Sequence, residues 1–207
     1  MAQADVILTF GQTSNTSTVT ATNNATDTTT AIAGTAIPIL ISQYGAAGVP
    51  ISAFLNLNLM STSAAFAFNS QIQQPFSGTA SFTGAANGGG TNYLSASFTD
   101  FVFGTSGGSS LTLSASEPPG TVTFASDLLP STVLGDPRAL SFGFANVIQP
   151  AAIVGSTLQG FTSSISGTVS AAVAVTQTAI PEPATLALLG TGVIALGAAR
   201  RRRAKQA

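Results

Sequence analysis

Four carboxylates spread through the body of the chain, Asp100, Glu117, Asp127 and Asp136, are its candidates for acid–base work. A glycosidase-type pair would need two of them within about 5–10 Å of each other. Glu117 and Asp136 each precede a proline, and Asp127 opens a long connection, so turn chemistry accounts for all three. Asp100 falls on the polar face of a strand pattern. Gly104-Thr105-Ser106-Gly107-Gly108 fits the G-x-S-x-G of a nucleophile elbow, which requires a strand-to-helix turn and a histidine base. The chain has no histidine, so the stretch reads as a Gly/Ser hairpin loop. Gly190-Thr191-Gly192-Val193-Ile194-Ala195 fits G-x-G-x-x-A but lacks the following acidic residue of a dinucleotide fold. Cysteine is absent, which excludes disulfides and thiolate metal sites. Loop oxygens of Asp127 or Asp136 could meet a calcium ion, without EF-hand spacing. Tyr44 and Tyr93 read as exposed rim residues able to stack on a sugar. The expectation is a body with no catalytic residue, cofactor or metal ligand.

The elements that carry these residues have a period of two. Ile51, Ala53, Leu55, Leu57 and Leu59 alternate with polar neighbours, as do Leu94, Ala96 and Phe98, then Leu111, Leu113 and Ala115, and Leu140, Phe142 and Phe144. Ala64 to Gln74 continues the alternation, with Phe66 and Phe68 on one face, and stops at Pro75. Glu117-Pro118-Pro119-Gly120 punctuates as a turn. In the last strand Phe161, Ile165, Val169 and Val173 share a parity, and Gly160 or Gly167 marks a bulge or bend. Residues 12–36 are threonine-rich and read as a solvated loop with a weak strand at Val19; Asn15 and Asn24 there fit the glycan acceptor pattern. No helical period precedes residue 184. Short alternating strands with turn signals between them predict an all-β, antiparallel β-sandwich, jelly-roll-like, over residues 5–178. Only 6% of residues are charged, against 44% hydrophobic and 13 phenylalanines, which supports a packed body. Arg138 is the one basic residue outside the tail, so no basic patch exists for nucleic acid.

The tail has three parts in order. Pro181-Glu182-Pro183 is a rigid extended punctuation. Ala184 to Ala199 is free of charge, and as a helix would extend roughly 24 Å. Arg200, Arg201, Arg202, Arg203 and Lys205 follow. An apolar helix with a basic cluster beside it predicts a single C-terminal transmembrane helix with the arginines cytoplasmic and the body outside.

Pro181-Glu182-Pro183, the apolar stretch and the terminal basic cluster together resemble the PEP-CTERM sorting signal of Gram-negative bacteria. The resemblance implies Sec export, transient residence in the inner membrane, and recognition by an exosortase that cleaves near the Pro-Glu-Pro. It assigns Pro181, Glu182 and Pro183 to the sorting signal and Arg200, Arg201, Arg202 and Arg203 to the stop-transfer cluster. It also implies a cell-surface or matrix destination linked to exopolysaccharide. Export calls for a leader; Ala2-Gln3-Ala4 fits the end of a signal peptide, with residues 1–4 its remnant, or is chance in an alanine-rich chain. The sequence therefore divides into 1–4, a β-domain at 5–178, a sorting segment at 180–203 and a tail at 204–207. The expected role is structural or adhesive and non-enzymatic. The alternatives are a carbohydrate- or calcium-binding module and a permanently anchored single-pass protein.

Overall fold

Alternation of large apolar side chains with Ser, Thr and Asn gives each strand one face that must leave water and one that need not. In the structure, a computed structural model that describes residues 4–24, 28–48, 50–117 and 120–172, these faces wrap around a single core. The strands are β1 (Ala4–Gln12), β2 (Val19–Asn24), β3 (Thr29–Tyr44), β4 (Ile51–Ser61), β5 (Phe66–Phe68), β6 (Gln71–Thr83), β7 (Asn92–Thr105), β8 (Leu111–Glu117), β9 (Thr121–Ala125), β10 (Gly135–Ile148), β11 (Ile153–Val154), β12 (Thr157–Leu158) and β13 (Phe161–Ala172). The helical element among the described residues is a 3-10 turn at Ser131–Val133.

The all-β expectation holds, but the sandwich is corrected to a closed eight-stranded barrel. Strands β6, β4, β3, β1, β13, β10, β8 and β7 pair in that order, and β7 returns to β6, all antiparallel. The closing ladder runs from Gln71 opposite Thr105 to Thr83 opposite Asn92. Inside–outside alternation is common to sandwiches and barrels, so the strand pattern does not distinguish them. Long strands make closure feasible: β3, β7 and β10 have 16, 14 and 14 residues.

The expected single C-terminal transmembrane helix is also corrected. No helix among the described residues is long and apolar enough to cross a membrane. The stretch 184–199 on which it was expected lies outside the described residues. The barrel wall has the opposite polarity to a membrane-spanning barrel. Its interior is solid with apolar side chains, and Ser77, Thr79 and Ser81, or Ser164, Ser166 and Thr168, stand on the outside.

Two slots of the barrel are filled by two strands in series. β1 and β2 both lie between β13 and β3, separated by residues 13–18. At that break the Gln12 side chain substitutes for backbone. Its Oε1 accepts from Ile165 N (3.0 Å) and its Nε2 donates to Ser17 O (2.6 Å). Residues 12–36, expected as a loop, are therefore largely strand. Val19, Ala21 and Ile32 are buried there, and small inward side chains suffice because the barrel is full. β8 and β9 likewise run in series along β7. β6 does not stop at Pro75: the proline falls between the stretches paired with β4 and β5, so its missing N–H costs no ladder bond on that side.

Phenylalanines centre the core. Phe10 meets Phe82 and Phe142 edge-on at 4.9 and 5.8 Å, and Phe98 meets Phe142 at 5.9 Å. Gly167 stands directly opposite both Phe10 and Phe142 on the neighbouring strands. It makes room for their rings; the register through it is regular, so it is not the expected bulge.

Both barrel ends are plugged. At the end where β13 begins, the β11–β12 hairpin is tied down by fully buried Gln74. Its Oε1 accepts from Leu158 N (3.0 Å) and Thr30 Oγ1 (3.2 Å), and its Nε2 donates to Ser63 O (2.8 Å). At the other end Tyr44 Oη donates to Tyr93 O (2.8 Å), lies 3.0 Å from Ser126 Oγ, and its ring meets Tyr93 edge-on at 5.7 Å. Burial holds the Tyr44 phenol above its ordinary pKa, with the Ser126 hydrogen bond opposing. The folded state thus keeps this proton longer than the unfolded chain. Its contribution is whole below about pH 10 and is lost as pH climbs from there through the folded value. Tyr44→Phe is expected to cost about 1 kcal/mol at pH 8 and to flatten this part of the alkaline decline. Urea unfolding between about pH 8 and 11.5 checks both.

Candidate functional site

The structure disperses the carboxylates singled out in the sequence, apart from one pair. Asp100 Oδ1 accepts from the Phe101 N–H at 2.7 Å. Asp127 and Asn92 clamp the upper plug, with Asn92 N donating to Asp127 Oδ2 (2.7 Å) and Asp127 N to Asn92 O (2.9 Å). Each carboxylate is engaged by backbone, which is the turn chemistry expected of Asp127. Among the described residues no group of three or more His, Cys, Asp and Glu could hold a metal ion. Tyr44 and Tyr93, expected as exposed rim residues, are instead part of the plug: Tyr44 is only 9% exposed and Tyr93 packs against the core. Ser106 sits in the short β7–β8 connection, its N–H donating to Ser70 O, with Gly107 at φ +78°. That is a strand-to-strand turn and not an elbow.

Glu117 and Asp136 do come together, on Arg138. The guanidinium Nη1 lies 3.2 Å from Glu117 Oε2 and 2.7 Å from Asp136 Oδ1. The same side chain donates to Leu134 O from Nε (2.7 Å) and to Val122 O from Nη1 (3.2 Å). β10 pairs with β8, whereas β9 pairs with β7, and Arg138 fills the notch this leaves with donors that a backbone would otherwise supply. The cluster is a structural rivet built from the body's single basic residue.

A trough without ionisable side chains lies on the outer wall near the β11–β12 end. A hollow of about 490 Å³ over β2 and β13 includes Thr20, Thr22 and Gln149 in its lining, and one of about 250 Å³ includes Asn15, Asn146 and Ser164. The two share Ile148 and Thr162. Local sequence explains the depression. The β10–β13 register shifts between Ala145 and Ile148, and the β1–β2 break flanks the other side of β13. Asn146 and Gln149 have φ of +53° and +69°, a region costly for residues other than glycine. Between them Ile148 is 70% exposed. Ser163 keeps the inward parity of Phe161 and Ile165, is 2% exposed, and its Oγ has no hydrogen-bond partner. Nothing in the amino-acid pattern marked this trough, since residues 146–149 read as the end of a strand before Pro150.

The barrel is followed in the sequence by a Pro-Glu-Pro, an apolar stretch and a basic cluster. Residues 179–203 match the PEP-CTERM protein-sorting motif. That motif implies export to the cell surface or extracellular space and processing by an exosortase. Pro181, Glu182, Pro183 and Arg200, Arg201, Arg202 and Arg203 fall within the match but outside the described residues. No curated protein and no solved structure matches the chain.

Proposed function

We propose that the barrel is a non-enzymatic structural or adhesive module of the cell surface or extracellular matrix, associated with exopolysaccharide. It passes through the inner membrane and is released by exosortase cleavage near Pro181–Pro183. The motif match at 179–203 carries the sorting part of this reading. A wall of Ser and Thr with few charges supports it, because such a surface stays hydrated among sugar hydroxyls without ion exchange. The engagement of Asp100 and Asp127 by backbone N–H groups, and of Glu117 and Asp136 by Arg138, supports a body without a catalytic carboxylate.

Intact mass of the protein from surface and medium fractions of the native host tests the sorting step. The expected species ends near Pro181–Pro183 and lacks the arginines. Replacing Pro181, Glu182 and Pro183 together with alanine is expected to leave full-length chain in the inner-membrane fraction. Full-length chain in the medium of the unmodified strain would refute exosortase release.

A further inference from the structure

We propose that the trough over Thr162 is a binding site for a segment of a neutral, hydroxyl-rich polysaccharide. The inference rests on the reading of the body as an exported, exopolysaccharide-associated module and names what it would hold. Four observations converge on it. No ionisable side chain is among the residues lining either hollow. A charged polymer would give up water there and find no countercharge, whereas a neutral one loses less.

The available groups are hydroxyls and carboxamides, among them Asn15, Thr20, Thr22, Asn146 and Gln149. Each can both donate and accept, which is what sugar hydroxyls require.

Ile148 supplies an aliphatic surface at the junction of the two hollows, suited to the C–H face of a pyranose ring. Its flanking residues hold it out through left-handed backbone at Asn146 and Gln149. Such backbone is characteristic of ligand clamps and fixes the contact before binding. Two hollows joined through shared residues fit successive rings of a chain better than one small molecule.

Affinity electrophoresis of the full-length protein through gels containing dextran, laminarin, hydroxyethylcellulose or alginate tests the proposal. Retardation by at least one neutral polymer, and none by anionic alginate, is expected. Thr162→Arg, which places a long cation across the trough, should abolish retardation without changing the melting temperature. Ser163→Ala, which removes a hydroxyl on the inward face of β13, should leave retardation unchanged. It should leave the unliganded melting temperature unchanged or higher, since it removes an unsatisfied group. Retardation by alginate as strong as by a neutral polymer, unaltered retardation of Thr162→Arg, or no retardation by any neutral polymer would overturn it. The mass of Thr162→Arg in the native host keeps the two readings apart, because a non-binding variant should still be processed near Pro181–Pro183.

Discussion

Arg138→Met should destabilise the barrel by about 1–2 kcal/mol, mostly through the two backbone carbonyls it leaves without a donor. The Arg138 side chain is 23% exposed, and its loss leaves the Leu134 and Val122 carbonyls without these donors, whereas Glu117 and Asp136, 34% and 63% exposed, stay solvated. Arg138→Lys should recover less than half of the loss. One ammonium cannot reproduce a fork that reaches Leu134 O from Nε and three other oxygens from Nη1. The urea midpoint at constant m-value gives the answer. A loss below about 0.5 kcal/mol, typical of an exposed pair, would show that the notch between β9 and β10 closes without its rivet.

Gly167→Ala is expected to cost about 3 kcal/mol or more, at the upper end of overpacking effects. A Cβ there would overlap Ser141 O and come within 2.7 and 2.9 Å of the Phe142 and Phe10 rings. Neither obstacle can move freely: one is ladder backbone, and the rings are wedged against each other and Phe82. Gly11→Ala, on the adjacent strand, is the control. A Cβ at Gly11 meets nothing within 4 Å, so its stability should stay within about 0.5 kcal/mol of the unmodified protein. Equal effects at the two positions would mean that loss of glycine flexibility, and not the Phe10–Phe142 contact, sets the cost.

The strand content of the body was legible because its apolar residues alternate: Leu55, Leu57 and Leu59 are buried as their parity requires, as are Phe142 and Phe144. Closure was not legible. It depends on the β6–β7 ladder meeting the other end of the sheet, and no side chain in Gln71–Thr83 announces a second partner. The region 12–36 misled because its inward residues other than Val19 and Ile32 are small or polar, namely Ala21, Thr30 and Gly34. Pro75 misled because a proline rule assumes a partner on both sides of the strand. Phe66 and Phe68, rightly placed on one face, lie in the three-residue β5 and are 47% and 68% exposed. The sorting motif was legible as a string of residues, since its signal is local composition and order, but the transmembrane helix expected from it was not found among the described residues. The trough was not, because it arises from a register shift in β10 and a gap between β1 and β2.

Ala172, where β13 ends, and Thr162, near its start, are ends of one uninterrupted strand. β13 is flanked on both sides by antiparallel partners, β10 along most of its length and β1 then β2 on the other edge. A pull applied at Ala172, resisted by a polymer held on the β2 and β10 residues of the trough, would therefore pass from β13 into its neighbours along the strand axis, at right angles to the hydrogen bonds. Loaded in shear, the bonds of both ladders yield together and do not unzip one at a time. Such a barrel resists tension in the direction along which a tethered surface protein would be dragged.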